Sequence, residues 1–182
     1  MAAIRAYYLP ADPASVIDAS HPVSVAKLNA LGWKITSVAG GPDEIEQAGR
    51  KFAQELGFPI TQEGSALTPE MAAFLMQAAE AENTDLCIAN GVGAAVMTGN
   101  LYIDVEDIAA AGQWVRLHLD AGTLVSVPTG AKYRFPFNEK TKGTTGIGFF
   151  KETVSNPGLV AMKEIDNHPA RHAYLKEVLG ET

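Results

Sequence analysis

Few residues of this chain could do chemistry. Tyr133, on an alternating stretch that follows Pro128-Thr-Gly130, carries a phenol that could orient a carbonyl or donate a proton. The other possibility is a core tyrosine whose hydroxyl has a hydrogen-bond partner, which is common. Cys87 has no base fixed beside it by sequence, so we expect a small buried hydrophobe there. His118 lies on the polar face of an alternating stretch, where a partly packed histidine is the default and a pocket role is the alternative.

The remaining histidines offer one further spacing that could bind a metal. His168 and His172 stand four residues apart, so on a helix they would share one face and could both bind an ion. The sequence places no third ligand near them, and His21 lies apart in an N-terminal loop. We therefore expect a helix start and a surface residue at these two positions, and no metal site.

Composition restricts the classes of partner. The chain has 182 residues, a net charge of −7 and a pI of about 5.0, which argues against binding a phosphate backbone. Its single cysteine cannot form an internal disulfide, which favours a reducing compartment. Neither a signal peptide nor an apolar run long enough to span a bilayer is visible. The sequence predicts a cytoplasmic protein with a small-molecule partner, no nucleic acid and no membrane.

The first part of the chain predicts helices between short strands. The clearest helix covers 43–56, because Ile45, Phe52 and Leu56 recur at helical spacing and Gly57 follows them. Ser24 is the expected N-cap of a shorter helix that ends at Ala30. The other expected elements of this part are strands over 4–9 and 33–38 and a helix over 68–82.

The second part predicts closely spaced strands. The expected strands cover 86–89, 94–97, 101–105, 113–119, 123–127 and 145–150, and a helix covers 169–179. Residues 90–93 form a turn or bulge, residues 98–100 a tight hairpin, and residues 128–130 a hairpin or corner. Ala131, Tyr133 and Phe135 share one face, whereas Lys132 and Arg134 are expected to face solvent. This order predicts a mainly β jelly roll with N-terminal helices and a C-terminal helix.

The stretch 122–135 resembles the second motif of the cupin superfamily. That motif has a glycine, five residues, Pro-x-Gly, two residues and a metal-binding histidine, and every position fits except the last, which is Tyr133. The resemblance implies a cupin-type jelly roll, or double-stranded β-helix. We expect one domain over 1–182, with N-terminal elements to about residue 83, the barrel core over about 84–152 and a tail over about 153–182.

An ordered set of segments resembles the acireductone dioxygenases of the methionine salvage pathway. The set runs along most of the chain and comprises Arg5-Ala-Tyr-Tyr8, Leu31-Gly-Trp-Lys34, the helix around Phe74, Tyr102-Ile-Asp-Val105, Trp114-Val-Arg-Leu117, the stretch 122–135, and Asn167-His-Pro-Ala-Arg171 with Tyr174.

The resemblance implies Fe(II) or Ni(II) held by His-x-His-x-x-x-Glu and the later histidine, a ligand set that suits these ions. In the register that needs fewer inserted residues, the first three positions are Leu86, Ile88 and Val92. In the alternative register they are Ala78, Glu80 and Thr84. Both registers lack the four-ligand set, so we expect no metal cofactor.

Three functional hypotheses remain. The first is a metal-independent cupin that carries out an isomerase, lyase or cyclase step on an organic small molecule in an apolar barrel pocket. The second is a non-catalytic small-molecule-binding relative, and the third is a genuine dioxygenase with an atypical metal site. The first hypothesis makes Tyr133 the catalytic residue and assigns substrate binding to Leu86, Ile88, Val92, Cys87, Asn90, Phe135 and His118.

Overall fold

The computed structural model describes residues 4–10, 18–59, 63–66, 86–110, 112–136, 143–151, 158–161 and 163–180. For 63–66, 86–88 and 159 the description covers the backbone. The helix expected over 68–82 lies outside the described residues. In the described ranges, no helix has the length and apolar character needed to cross a membrane.

Strands dominate the described residues, as predicted, and three α-helices accompany them. The strands are β1 (Arg5–Tyr8), β2 (Lys34–Ser37), β3 (Glu63–Ala66), β4 (Leu86–Ile88), β5 (Val92–Thr98), β6 (Asn100–Asp107), β7 (Gln113–Asp120), β8 (Thr123–Val127), β9 (Tyr133–Arg134), β10 (Thr145–Phe150) and β11 (Leu159–Ala161). The helices are α1 (Val25–Ala30), α2 (Pro42–Glu55) and α3 (Pro169–Leu179).

The strands form two antiparallel sheets and a separate pair. One sheet has the order β1-β7-β6-β9, the other the order β2-β8-β5-β10-β3, and β11 pairs with β4. Among the described strands, β1 has β7 as its neighbour and β2 has β8, so each of these early strands lies at one end of its sheet.

The alternation predicted for β7 fixes which face of its sheet is the core. Val115, Leu117 and Leu119 are all 0% exposed and belong to the main hydrophobic core. Arg116 and His118, between them, lie on the opposite face and are half-buried. A strand with one apolar and one polar face covers a core on one side only.

The five-stranded sheet is covered on both faces. Helix α2 begins at Pro42, the Glu44 carboxylate accepts a 2.9 Å hydrogen bond from the backbone N–H of Gly41, and the chain turns away at Gly57 with φ 76°. Its buried residue Ile45 packs with Leu124 of β8 in a second apolar cluster. Every residue of β8 is therefore buried, including the hydroxyl-bearing Thr123 and Ser126.

The tight hairpin predicted over 98–100 is wrong. β5 pairs with β8 and β10, whereas β6 pairs with β7 and β9, so the chain crosses from one sheet to the other at Gly99, where φ is 73°. The hydroxyl of Thr144 holds this crossing, because it accepts from the Asn100 N–H at 3.2 Å and donates to the Asn100 carbonyl at 2.5 Å. A glycine-centred turn signal fits a crossing as well as a hairpin.

Two other turns were partly predicted. The turn at residues 128–130 is a corner, since β8 and β9 belong to different sheets. The turn expected over 90–93 is shorter than predicted: Gly91 has φ 77°, but Val92 and Gly93 already belong to β5 and pair with Val127 and Ser126.

The C-terminal helix α3 has the predicted bounds and is fixed to the barrel at several points. His168 caps it, since its Nδ1 accepts from the N–H of Ala170 at 3.2 Å, and Gly180 ends it with φ 69°. The Tyr174 hydroxyl donates to the carbonyl of Leu31 at 2.8 Å, and Arg171 forms an ion pair with Glu106 of β6. The helix is thereby joined to the end of α1 and to β6.

Candidate functional site

Tyr133 lies in the interior of the fold. Its side chain is 0% exposed, and its neighbour across the sheet is Val105. The ring meets that of Trp33 edge to face at 6.2 Å between centroids and that of Phe135 at 5.5 Å. Ala131 is also buried, which confirms the predicted apolar face of this stretch. The phenol is thus held on two sides by aromatic rings.

Val92 belongs to the same core as Tyr133. It is 7% exposed, starts β5, and pairs with Val127 on one side and with Phe150 on the other. Phe135 is half-buried against the same cluster. The structure therefore brings three of the predicted site residues, Val92, Tyr133 and Phe135, into one apolar cluster.

Leu86, Cys87 and Ile88 form β4, which pairs with β11 and lies against β9. The side chains of these three residues lie outside what the structure describes. Strand β4 lies beside β9, the strand of Tyr133. This position is consistent with the preferred register, in which β4 carries the start of the first cupin motif and β9 the end of the second.

Asn90 is a turn residue at the start of β5. Its carbonyl accepts a 2.9 Å hydrogen bond from the Thr129 hydroxyl, and its side-chain amide is close enough to Gly158 that a β-carbon there would approach Nδ2 to 2.8 Å. Asn90 therefore joins the β4–β5 turn to the corner that leads to Tyr133.

His118 lies on the other face of the four-stranded sheet. Its ring stacks on Tyr102 at 4.6 Å, and its Nε2 is 3.3 Å both from Nη2 of Arg5 and from Oδ1 of Asp120. Its neighbours along β7 point into the core, as Tyr133 does, so the sheet separates the imidazole from the phenol. The structure does not bring His118 together with the other predicted site residues.

The residues at the family's metal-ligand positions do not fit Fe(II) or Ni(II) in the preferred register. Leu86, Ile88 and Val92 have hydrocarbon side chains without a lone pair, and Val92 is packed in the core. The alternative positions Ala78, Glu80 and Thr84 lie outside the described residues. Elsewhere in the described ranges, no group of three or more His, Cys, Asp or Glu side chains could hold an ion.

The i, i+4 histidine pair forms contacts of its own. His168 is the N-cap of α3, and Nε2 of His172 lies 3.0 Å from the carbonyl of Asp166. A helix start and a surface residue were the predicted roles, and both are observed.

Sequence analysis missed the ionic contacts behind Tyr133. Asp104 is 1% exposed and accepts hydrogen bonds from Arg116 at 2.7 and 2.8 Å and from Arg134 at 3.2 Å. The hydrogen bonds between Arg116 and the Asp104 carboxylate raise the pKa of Arg116. The Arg134 guanidinium also lies 4.5 Å from the ring centroid of Trp114. Arg134 was expected to face solvent, and its contacts instead fix the strand of Tyr133 from outside.

Lys132, on the other side of Tyr133, is fixed in a similar way. Its Nζ lies 2.7 Å from Oδ1 of Asp166, and its side chain is 15% exposed. The expectation that Lys132 faces solvent was therefore wrong. Strand β9 is two residues long, and both residues that flank the phenol hold it through ion pairs.

Trp33 was identified only as part of a family resemblance and as a strand residue. The structure places its ring against Tyr133, with 0% exposure. The available signal was local: Trp33 and Ile35 alternate with Lys34, which predicts an inward-facing indole.

Comparison with known proteins supports the predicted family. No family model matches the chain. The chain is 34% identical over 84 residues to an acireductone dioxygenase of Yarrowia lipolytica, a match that spans 46% of this chain and 45% of that relative, so less than half of the relative's length is matched. A solved structure of acireductone dioxygenase from Bacillus anthracis, with a cadmium ion in its active centre, matches with a TM-score of 0.57 at 12% identity.

The structural match covers 84% of this chain and 95% of that chain. At this identity it shows the fold, which confirms the cupin-type architecture predicted from the second motif. The partial sequence identity and the shared fold together support the predicted resemblance to acireductone dioxygenases.

Proposed function

We propose that this chain is a metal-independent member of the acireductone dioxygenase family and that it acts on an organic small molecule inside the barrel. The observation that carries the proposal is the burial of Tyr133, a phenol, at the position where the cupin motif has a ligand histidine. Its surroundings, Val92, Phe135 and Trp33, are apolar or aromatic, which suits an organic ligand better than a hydrated ion.

The phenol supplies the proton chemistry in this proposal. A neutral tyrosine hydroxyl can donate to a carbonyl oxygen and, as that oxygen gains charge, transfer its proton. The apolar walls exclude water and hold the ligand in one orientation. These groups support an isomerase, lyase or cyclase step, in which no external oxidant is needed.

Two alternatives follow from specific observations. The identity to the Yarrowia lipolytica protein favours a dioxygenase whose ligands come from other positions, the alternative register among them. Leu86, Ile88 and Val92 offer no lone pair to a metal, and this is equally compatible with a relative that binds a small molecule without turning it over. Measurements of metal content and of turnover distinguish the metal-independent enzyme, the dioxygenase and the non-catalytic relative.

The first experiment is metal analysis by mass spectrometry of protein purified without a histidine tag or chelator. Folded protein with far less than one equivalent of iron or nickel is the expected result. Near-stoichiometric iron or nickel would overturn the proposal and favour dioxygenase chemistry.

The second experiment tests the phenol with reductic acid, a stable cyclic ene-diol next to a ketone. Calorimetric titration of the wild-type protein should show binding, and Tyr133→Phe should bind about tenfold more weakly, because only the hydroxyl is removed. Tyr102→Phe is the matched control, since Tyr102 lies on the opposite face with His118. Equal affinity in wild type and Tyr133→Phe would contradict the role of the phenol.

A further inference from the structure

The four-stranded sheet has an outer face that the proposed site does not use. On β7, Trp114, Arg116 and His118 are half-buried on the side away from the core, whereas Tyr133 of β9 is buried on the core side. The outer face is the side of this sheet that carries Arg116 and His118. Among the described helices, α2 packs against the five-stranded sheet, and none packs along β6 or β7.

Arginine and aromatic side chains are concentrated on the outer face. The chain has five arginines and nine lysines, yet three of the arginines, Arg5, Arg116 and Arg134, lie here. Trp114 and Tyr102 lie among them, and none of the described strand residues on this side is a lysine. Arginine, tryptophan and tyrosine are enriched at protein–protein interfaces, where lysine is depleted. The composition of the outer face is therefore that of an interface.

Ring contacts and ion pairs hold these side chains in place. The guanidinium of Arg134 lies 4.5 Å from the ring centroid of Trp114, and that of Arg116 lies 5.9 Å from the ring centroid of Tyr102. Asp104 bonds to both arginines and is 1% exposed, while the side chains of Arg116 and Arg134 are 28% and 36% exposed. Side chains that are ordered before contact lose little entropy on binding. The outer face thus offers fixed aromatic and cationic groups to a partner.

The formal charges of the outer face balance. Its three arginines are matched by the three carboxylates of Asp104, Glu106 and Asp120, so the net charge of −7 is carried by the rest of the chain. A patch that has both signs can meet a second copy of itself across a two-fold axis, because each sign then finds the opposite one. An acidic peptide would instead meet like charges as well as opposite ones. Charge complementarity therefore favours a second copy.

The area of the outer face fits a weak dimer. Strands β6 and β7 have eight residues each, about 27 Å, and the four strands are together about 19 Å wide, so the face offers at most roughly 500 Å² to a partner. Two copies would then bury about 1,000 Å² in total, which is the lower end for a specific contact. A reversible dimer is expected at this size, and a permanent one is not.

We propose that the outer face is the interface of a weak symmetric dimer and that its partner is a second copy of this chain. Trp114 and Tyr102 are the expected anchors, since a few aromatic and arginine side chains carry most of the binding energy of an interface. The proposed function does not enter this inference, because the sheet separates the outer face from Tyr133.

Sedimentation equilibrium of the full chain tests the association. Between about 10 μM and about 1 mM the wild-type protein should convert from monomer to dimer, and Trp114→Ala should raise the dissociation constant about tenfold or more. Glu55→Arg is the control, because Glu55 is 63% exposed on α2, which covers the other sheet, so this variant should dimerise like the wild type. A wild-type protein that stays monomeric at every concentration would overturn the proposal.

Tyr7→Arg keeps the test valid where Trp114→Ala does not fold. Tyr7 pairs with Arg116 across β1 and β7, so the substitution adds a cation to a face whose charges otherwise balance. The dissociation constant of the dimer should again rise about tenfold. A dimer that both outer-face variants leave unchanged does not use this face.

The two tryptophans locate the interface by nuclear magnetic resonance. Trp114 lies on the outer face and Trp33 is 0% exposed in the core, so nitrogen-15 labelling gives one indole signal from each, which Trp114→Ala assigns. As the protein is concentrated, the Trp114 signal should move and the Trp33 signal should stay. A dimer that forms without moving the Trp114 signal would contradict the proposal. If the chain stays monomeric and a poly-glutamate peptide moves the Trp114 signal, the face binds an acidic partner, and self-association is wrong.

Discussion

Arg116 on β7 and Asp104 on β6 stand opposite each other and are joined by two parallel hydrogen bonds of 2.7 and 2.8 Å. The carboxylate is 1% exposed and also accepts from Arg134, so one anion is enclosed by two guanidinium groups. Because Arg134 follows Tyr133 directly, this contact ties the candidate site to the outer face of the sheet.

Replacing Asp104 should be costly. Asp104→Ala removes three hydrogen bonds and leaves two arginines facing each other, so the free energy of unfolding should fall by about 3 kcal/mol. Denaturant unfolding of the wild type and of Asp104→Ala measures this difference in free energy. The control is Asp120→Ala. Asp120 forms an ion pair with Arg5 in which both side chains are more than one-third exposed, so its loss should lower the free energy of unfolding by less than about 1 kcal/mol. Similar losses in both variants would contradict the special role of Asp104.

Stability at alkaline pH should depend on Tyr8. Its hydroxyl donates to the buried Asp107 carboxylate at 2.7 Å, which with burial raises the pKa of Tyr8 to about 12. A tyrosine in the unfolded chain ionises near pH 10, so this contribution is complete below about pH 10 and is lost as the pH rises towards 12.

Denaturant unfolding of wild type and Tyr8→Phe between pH 8 and pH 12 provides the comparison. The wild-type advantage in free energy of unfolding should be largest below about pH 10 and should shrink towards pH 12. Lys27 also pairs with Asp107, and this ion pair is common to both proteins. A constant difference across this pH range would count against the contact.

Gly130 should not tolerate a side chain. It has φ 81°, and a β-carbon there would overlap the carbonyl oxygen of Ala170 on α3. Gly112 has nearly the same φ, 79°, and no atom of the described residues beyond its chain neighbours lies within 4 Å of its β-carbon position. Gly112→Ala should therefore lose only about 1 kcal/mol from backbone strain, and Gly130→Ala about 1–3 kcal/mol more. If thermal unfolding shows the same loss of stability in the two variants, helix α3 moves away from the new side chain at no cost in free energy.

Restoring one histidine should not restore a metal site. Tyr133→His supplies the ligand type of the cupin motif at one position, but the preferred positions at Leu86, Ile88 and Val92 still lack lone pairs. Incubation with excess nickel followed by desalting should leave far less than one equivalent bound. Stoichiometric retention by the variant would show that the other ligands come from elsewhere, as in the alternative register.

The elements that the sequence predicted well depend on local signals. Helix α3 was predicted with its observed bounds because Pro169 opens it and Gly180 ends it, and α2 was predicted to within one residue at each end. The buried face of β7 followed from alternation alone. These features are set by neighbours within one or two turns of chain.

The features that were missed depend on pairing between distant strands. Nothing near Gly99 tells whether β5 and β6 form a hairpin or part into different sheets, since the turn chemistry is the same. The burial of Asp104 requires Arg116, twelve residues later, and Arg134, thirty residues later, to stand beside it. The outer face with its arginines and aromatic rings is likewise complete only when β1, β6, β7 and β9 are paired.

The pairing of early strands with late ones has a consequence for the protein during its synthesis. β1 pairs with β7, so that Arg5 meets His118, and β2 pairs with β8, so that Lys34 meets Ser126. Strand β1 cannot pair until the chain as far as Asp120 has left the ribosome, and β2 cannot pair until the chain as far as Val127 has done so; such non-local pairing slows folding. Until β8 is available, the strand Lys34–Ser37 has no partner and the indole of Trp33 has no core to enter, so we expect this apolar segment to stay exposed on the nascent chain during that interval.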